Sequence, residues 1–408
     1  MASVFRVALG AAIIALLVCP PAYSEEMSIE ELTAELKAMK ARIVELETRL
    51  AEAEAAAKAP AETEKTPTKA GGVRSIETRL QKLEDAVTRP VEGDKWYDRV
   101  QISGVVEVEA GYEKVSDNDP ATEDETTSDV DLAAVELVVD AKLCKHVDGH
   151  VMFKYEDDEV FVDEGFFTLI GNEQFPAYLI GGRQYIPFGN YDSHFVTDPN
   201  TLVLGETNEG AAVAGYRIGG EMVDLRLGVF NGRVKELDSD DKIDNLVAAV
   251  TVSPLNVVTL GASYTTNIAG SDTLSEFVTS EDGLDSLVGG WAAYASLTFL
   301  ERFKLIGEYV AAVDEFEAGE LYAVDDTERR QPTAWNMELG VGITEKIEAA
   351  VRYGGSEDGG DMMPESQYGA VVNFGIFECN LALEYMRGEF ADDAQEVDTV
   401  TAQFALEF

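Results

Sequence analysis

Val397-Asp398-Thr399-Val400-Thr401-Ala402-Gln403-Phe404-Ala405-Leu406-Glu407-Phe408 ends the chain on an aromatic ring after a strict two-residue alternation. Successive side chains of a strand face opposite sides, so Val400, Ala402, Phe404, Leu406 and Phe408 share one face and Thr399, Thr401, Gln403 and Glu407 the other. An apolar face toward lipid and a polar face toward water is the pattern of a strand in a membrane-spanning barrel. The same pattern recurs back to about residue 100, which makes the whole segment 96–408 a candidate barrel.

Sixteen strands can be laid down, at approximately 100–113, 130–143, 148–157, 162–171, 177–186, 209–217, 221–230, 244–253, 256–266, 287–299, 302–312, 333–343, 346–355, 366–376, 379–388 and 397–408. An even number closes an antiparallel barrel. Every second connection is brief, as at Leu300-Glu301, Thr344-Glu345 and the Ser253-Pro254-Leu255 corner. The intervening ones, such as 114–129, 187–208, 267–286 and 313–332, are long and mostly acidic. Outer-membrane barrels show this parity, with short turns on the periplasmic side and longer loops outside. Rings sort in the same way: Tyr112, Tyr264, Tyr309, Trp335, Tyr353, Tyr368 and Tyr385 fall at the loop ends, and Phe299, Phe303, Phe374, Phe404 and Phe408 at the turn ends. The expected fold is therefore an all-β transmembrane, 16-stranded antiparallel outer-membrane β-barrel with both termini on the turn side.

The segment before the barrel reads differently. Arg6, an apolar run from Val7 to Cys19 and the small residues around Ala22-Tyr23-Ser24 have the layout of a signal peptide over 1–24. Ile29, Leu32, Leu36, Met39, Ile43, Leu46 and Leu50 follow the three-four spacing of a coiled coil, expected over 25–57. A linker rich in Ala, Lys, Thr and Pro (58–72) precedes a second coiled-coil stretch (73–90). The flanking pairs Glu35/Lys40, Arg42/Glu47, Arg49/Glu54 and Arg79/Glu84 are opposite in sign, which favours a parallel homo-oligomer, with a trimer expected. This arm would lie in the periplasm and is long enough to tether the outer membrane toward the cell wall. Acidic residues outnumber basic ones 77 to 31, for a net charge of -46, which excludes nucleic acid as a partner and makes cations the natural counter-species. Outer-membrane lipid and lipopolysaccharide are the expected surroundings.

Function must lie on the water-facing side of the strands. Glu107, Glu109, Glu136, Asp140, Asp224, Glu308 and Glu338 fall there with Arg226 and Arg352, and carboxylates around a bore favour cations. The connection 187–208 carries little charge for its length and includes Tyr191, Phe195 and four valine or leucine residues. It is expected to fold into the barrel as a constriction, presenting Asp192, His194, Asp198 and Glu206 to solute opposite Arg183. The three histidines, His146, His150 and His194, form no helical metal pair, and no nucleophile and base come together; the chain is not expected to be an enzyme and no cofactor is implied. Cys144 and Cys379 fall about three strands apart, roughly 14 Å at the usual spacing, too far for a disulfide.

Ser103-Gly104-Val105-Val106-Glu107-Val108-Glu109-Ala110-Gly111-Tyr112, Val162-Asp163-Glu164-Gly165 and above all Tyr185-Ile186-Pro187-Phe188-Gly189-Asn190, with Ser193-His194, Asp198-Pro199 and Leu204-Gly205-Glu206-Thr207, resemble the LbtU family of siderophore porins. The resemblance runs over nearly the whole mature chain and implies a role in ferric siderophore uptake. The residues themselves point to passive passage of small hydrophilic solutes. An alternative is a general cation-preferring diffusion pore that also tethers the outer membrane.

Overall fold

The computed structural model describes residues 99–408 apart from 118–123, 157–158, 221, 238, 240–241, 281, 378 and 391–394. The signal peptide, coiled-coil and linker assignments lie outside the described residues. Sixteen strands form one closed antiparallel barrel. They are β1 (Val100–Asp117), β2 (Glu125–Cys144), β3 (Val147–Glu156), β4 (Glu159–Asn172), β5 (Phe175–Tyr185), β6 (Asn208–Ile218), β7 (Val223–Phe230), β8 (Asn245–Leu255), β9 (Val258–Thr265), β10 (Gly290–Phe299), β11 (Phe303–Ala312), β12 (Thr333–Thr344), β13 (Ile347–Glu357), β14 (Ser366–Ile376), β15 (Cys379–Glu389) and β16 (Gln395–Glu407). Each strand pairs with its neighbours in sequence, and β1 pairs with β16 from Val105↔Glu407 to Asp117↔Gln395 to close the cylinder. Closure satisfies every edge, the condition a sheet must meet to sit in lipid. No described helix is long and apolar enough to cross a membrane.

Register converts the sequence alternation into two surfaces. Leu305 stands opposite Leu339 and Tyr309 opposite Trp335 on the outside, while Ile306 faces Glu338 and Glu308 faces Asn336 on the inside. Outer side chains such as Leu227, Met337, Val351 and Ile343 are more than half exposed, a continuous apolar band that only an apolar medium would cover. Tyr353 and Tyr368 lie directly across from each other at the loop end, and Phe299 stacks on Phe303 at the turn end, 5.2 Å between centroids. The turns are tight. Leu300 and Glu301 both take positive φ (51° and 57°) between β10 and β11, the geometry that matches strand twist in a two-residue reversal.

Two expectations need correction. The loop foreseen at 114–129 is largely strand, because β1 and β2 continue in register up to Val115↔Glu125 and form a hairpin longer than the other strands require. The corner foreseen at Ser253-Pro254-Leu255 belongs to β8, which runs on to Leu255 through a register shift after Val252. The connections after β9 and β11 are long and acidic as expected, and they also carry a buried apolar face. Their apolar residues Ile268, Leu274, Leu284, Phe316 and Leu321 are fully buried, packed with Phe230, Val247, Ala292, Val310 and Ala334 from the inner wall. The bore is thus filled on the β6–β12 side of its loop end by a core like that of a water-soluble protein. Acidic composition hid this because the few apolar residues are spaced irregularly among charges. Cys144 and Cys379 are free thiols at the ends of β2 and β15, separated around the barrel by β1 and β16.

Leu227 points outward from the middle of β7. Leu227→Arg is expected to destabilise the folded barrel by about 2–4 kcal/mol, measured as a lower urea midpoint in lipid vesicles.

Candidate constriction and its docking

The segment after β5 enters the bore because its own geometry turns it back. Gly189 has φ 73° and Tyr191 φ 57°, and the Tyr191 ring lies over Gly189 and Gly205, where a Cβ would fall 2.3 Å and 2.4 Å from ring or hydroxyl atoms. A short helix, α1 (Asn200–Gly205), follows Pro199, whose preset φ suits the residue before a first turn. It packs against β11, β12 and β13 through the fully buried Leu204.

A loop inside a barrel must find partners for its backbone amides, and here the wall supplies carboxylates in strand order. Glu308 on β11 accepts from Asn190 N (2.7 Å), Tyr191 N (2.9 Å) and Thr201 Oγ1 (3.2 Å). Glu338 on β12 accepts from His194 N (2.7 Å) and Ser193 Oγ (2.9 Å). Glu348 on β13 contacts His194 Nδ1 at 2.6 Å, and Glu384 on β15 accepts from Val196 N (2.6 Å) and from the Thr197 amide and hydroxyl. Asn373 on β14 donates to His194 O at 3.0 Å. Arg352 ties the arrangement together. Its guanidinium pairs with Glu338 at 2.9 Å, donates to Thr197 O at 2.7 Å and lies 4.4 Å over the Phe195 ring. Both charged side chains of the Arg352–Glu338 pair are fully buried. Phe195 and Val196 pack against Ala350, Val371 and Ala382.

The expected site residues therefore divide. Glu308, Glu338 and Arg352 do face inward, but the loop covers them, leaving 6%, 0% and 2% exposed, so they hold the loop rather than line the water. His194 does not reach solute either: its ring is turned into the wall over Gly340, where a Cβ would fall 2.5 Å from Cε1. Asp192 is half exposed, 3.5 Å from Lys304, and Asp198 is exposed. Arg183 Nε donates to Asp163 O on β4 at 3.1 Å. Asp224 accepts from Tyr178 and from Arg226, toward the turn end of β7. Glu109 on β1 accepts from Gln403 at 2.8 Å, and Asp140 on β2 contacts His150 at 2.8 Å. The docking roles of Glu348, Glu384, Asn373 and Ser193 were not singled out in the sequence. Parity places the first three on the inner face, but nothing local says that a loop would seek them.

With the loop on the β11–β15 wall, the opposite wall is left to line the passage. Asp198 looks toward Lys154, Glu156 and Glu109, and Glu107 lies beside Glu109 and Glu136. Acid faces acid, with Lys154 between. The Glu206 carboxyl in the loop is pushed up to about 7, by burial first and then by the Asp198 and Asp272 carboxylates.

A closed 16-stranded barrel constricted by an inward loop after its fifth strand defines the porin class of fold. No family model matches this chain. Among curated proteins it is similar to a UPF0422 protein of Coxiella burnetii, 27% identical over 299 residues, covering 64% of this chain and 63% of that protein. A UPF0422 protein of Legionella pneumophila is 23% identical over 368 residues, covering 76% of this chain and 66% of the relative. The chain thus spans just under two thirds of the length of these relatives. Among solved structures it resembles the outer membrane channel DcaP of Acinetobacter baumannii, with TM-score 0.54 and 16% identity over 76% of this chain and 97% of that one. The anion-selective porin of Comamonas acidovorans also gives a TM-score of 0.54, with 13% identity over 76% and 99% of the two chains. At such identities the likeness establishes the fold.

Arg352→Met leaves the Glu338 carboxylate buried without its cation. We expect a loss of about 3–5 kcal/mol at this site, read as a lowered urea midpoint together with a larger and noisier single-channel current.

Proposed function

We propose that this chain is an outer-membrane porin passing small hydrophilic solutes through a cation-preferring constriction. The observation that carries the reading is the docked loop: it narrows the bore and leaves Asp198 and Glu206 on one side and Glu107, Glu109, Glu136 and Glu156 on the other, with one lysine between. Carboxylates on both sides lower the energy of a permeating cation and raise that of an anion. The apolar outer band and the two ring girdles support an outer-membrane location with the short turns in the periplasm. The heptad spacing of 25–57 and 73–90 supports a homo-oligomer, with a trimer as the simplest arrangement, and a periplasmic arm.

A second reading, ferric siderophore uptake, is supported by the resemblance of the segment from Tyr185 to Thr207 to LbtU-type porins, because that segment is the constriction itself. The acid-lined passage disfavours polycarboxylate chelates and suits chelates carrying positive charge. Growth of a deletion strain on supplied ferric chelates of each charge type distinguishes the two.

Planar-bilayer recording in a KCl gradient tests the main reading, with a reversal potential on the cation side expected and an anion-side value contrary to it. Glu206 is charged above about 7 and neutral below it, so cation preference should fall as pH drops through that value. Glu206→Gln should flatten this pH dependence. Deleting residues 192–204 removes most of the loop, and single-channel conductance should rise; unchanged conductance would remove the constriction from the account.

A further inference from the structure

Closure joins every strand of the barrel to two neighbours, but β2 is not paired along its whole length. On one side it meets β1 from Val100↔Ala141 up to Val115↔Glu125. On the other it meets β3 only from Cys144↔Val147 up to Val135↔Tyr155, because the β3–β4 hairpin turns back at Glu156 and Glu159. Among the described residues, β2 from Glu125 to Ala134 therefore has one open edge. Two of its amides are taken by the chain itself: Val130 N donates to Asp129 Oδ1 and Leu132 N to Asp131 Oδ1, both at 2.7 Å. Acidic side chains on an edge are one device that keeps a strand from pairing indiscriminately.

The surface beside this edge is apolar. Val130 is 71% exposed, and Val160, at the tip of the β3–β4 hairpin, 72%. On the outer face a groove of about 640 Å³ crosses β15, β16, β1 and β2, lined by Ala110, Tyr112, Val130, Leu383, Val400 and Ala402 among others. From Tyr264 on β9 to Tyr385 on β15 each strand places a Tyr or Trp at its loop end. Around Tyr112 that series is broken, with Val400 across from it on β16 and Ser128 on β2. Val130 and Leu132 lie on the turn side of Ser128, at the margin of the apolar band. Lipid has no partner to offer an open backbone edge there. A surface that covers it must bring hydrogen-bonding groups as well as apolar side chains, and protein supplies both.

We propose that the open edge of β2, with the groove beside it, is the surface on which a second copy of this chain docks. The inference rests on the homo-oligomeric porin reading and names the face that it uses. The heptad stretch 73–90 has the pattern of parallel self-association, and only nine residues (91–99) separate it from β1. Nine residues span at most roughly 30 Å, so a shared bundle of these stretches keeps β1 of each copy, and β2 beside it, near the common axis. The edge does not meet itself. A two-fold axis along the barrel would set Asp129 and Asp131 of two copies against each other, like charges face to face. A closed ring, in which each open edge meets a different face of the next copy, avoids this and favours a trimer over a dimer.

The test is photo-crosslinking in outer-membrane fractions of cells making the full chain, with p-benzoylphenylalanine in place of Val130 or, as control, of Met337, which points outward from β12 on the ringed wall. The crosslinker in place of Val130 should give bands at two and three times the chain mass that contain this chain alone by mass spectrometry, and in place of Met337 it should give none. Val130→Arg should lower the fraction of oligomer in mild detergent about tenfold, while heat-modifiable migration on gels shows that its barrel is folded. A crosslink from the Val130 position to another protein, or to lipid alone in a chain that is still oligomeric, overturns this surface and leaves the homo-oligomer standing. A folded Val130→Arg variant as oligomeric as wild type does the same. Wild-type chain that sediments as a monomer in detergent and gives no crosslink overturns the homo-oligomeric reading itself.

Discussion

Backbone amides meeting wall carboxylates are the interaction on which the interior depends. A loop brought into a barrel loses water from its N–H groups, and each buried amide left without a partner costs about 1–3 kcal/mol. Glu308, Glu338 and Glu384 accept from the amides of Asn190, Tyr191, His194, Val196 and Thr197, so each acceptor is a carboxylate oxygen. Charge-assisted bonds of this kind are the stronger ones. The cost falls on the glutamates, which give up their own hydration, and Arg352 offsets it for Glu338 by direct pairing. The loop and the wall therefore depend on each other: without the loop, buried Glu338 and Arg352 would face water, and without the wall the loop amides would have no partner.

This exchange divides the bore along its length. One side is dry near the loop end, because connections after β5, β9 and β11 bring Leu204, Leu274, Leu284 and Phe316 against inner-wall alanines and valines. The other side, on β1 to β3, keeps its charges partly exposed. The electrostatics of the passage consequently come from fewer residues than the inner face carries, and they are concentrated where Asp198 and Glu206 approach β1 and β3.

The barrel was legible because period-two alternation, loop parity and ring placement are local signals that do not depend on distant residues. They fixed the strand number and most limits to within a few residues, and the low charge of the segment 187–208 correctly marked it as a loop that enters the bore. The site was less legible. Alternation states only that a residue faces inward, and Glu107 and Glu338 have the same parity although one lines the passage and the other is fully buried. The difference arises from which wall the loop rests on, a contact between residues 140 or more apart in sequence, such as Ser193 with Glu338. His194 was misread for the same reason: its partner Glu348 belongs to a strand 154 residues away. The folded connections after β9 and β11 escaped notice because acidic residues outweigh the few apolar ones that make their core.

The inner apolar cluster draws residues of β6, β7, β8, β10, β11 and β12 together with residues of the five connections after β5, β7, β9, β11 and β13, so none of it exists until those strands stand side by side. Loop-closure entropy is lost before such distant contacts can compensate. Assembly is thereby ordered in time: the strands from β6 to β12 have to stand side by side first and the interior condense afterward, and until then the large apolar side chains of the cluster have no home. A barrel built this way is most exposed to self-association before its interior condenses, and its many like charges act in that interval as a solubilising coat.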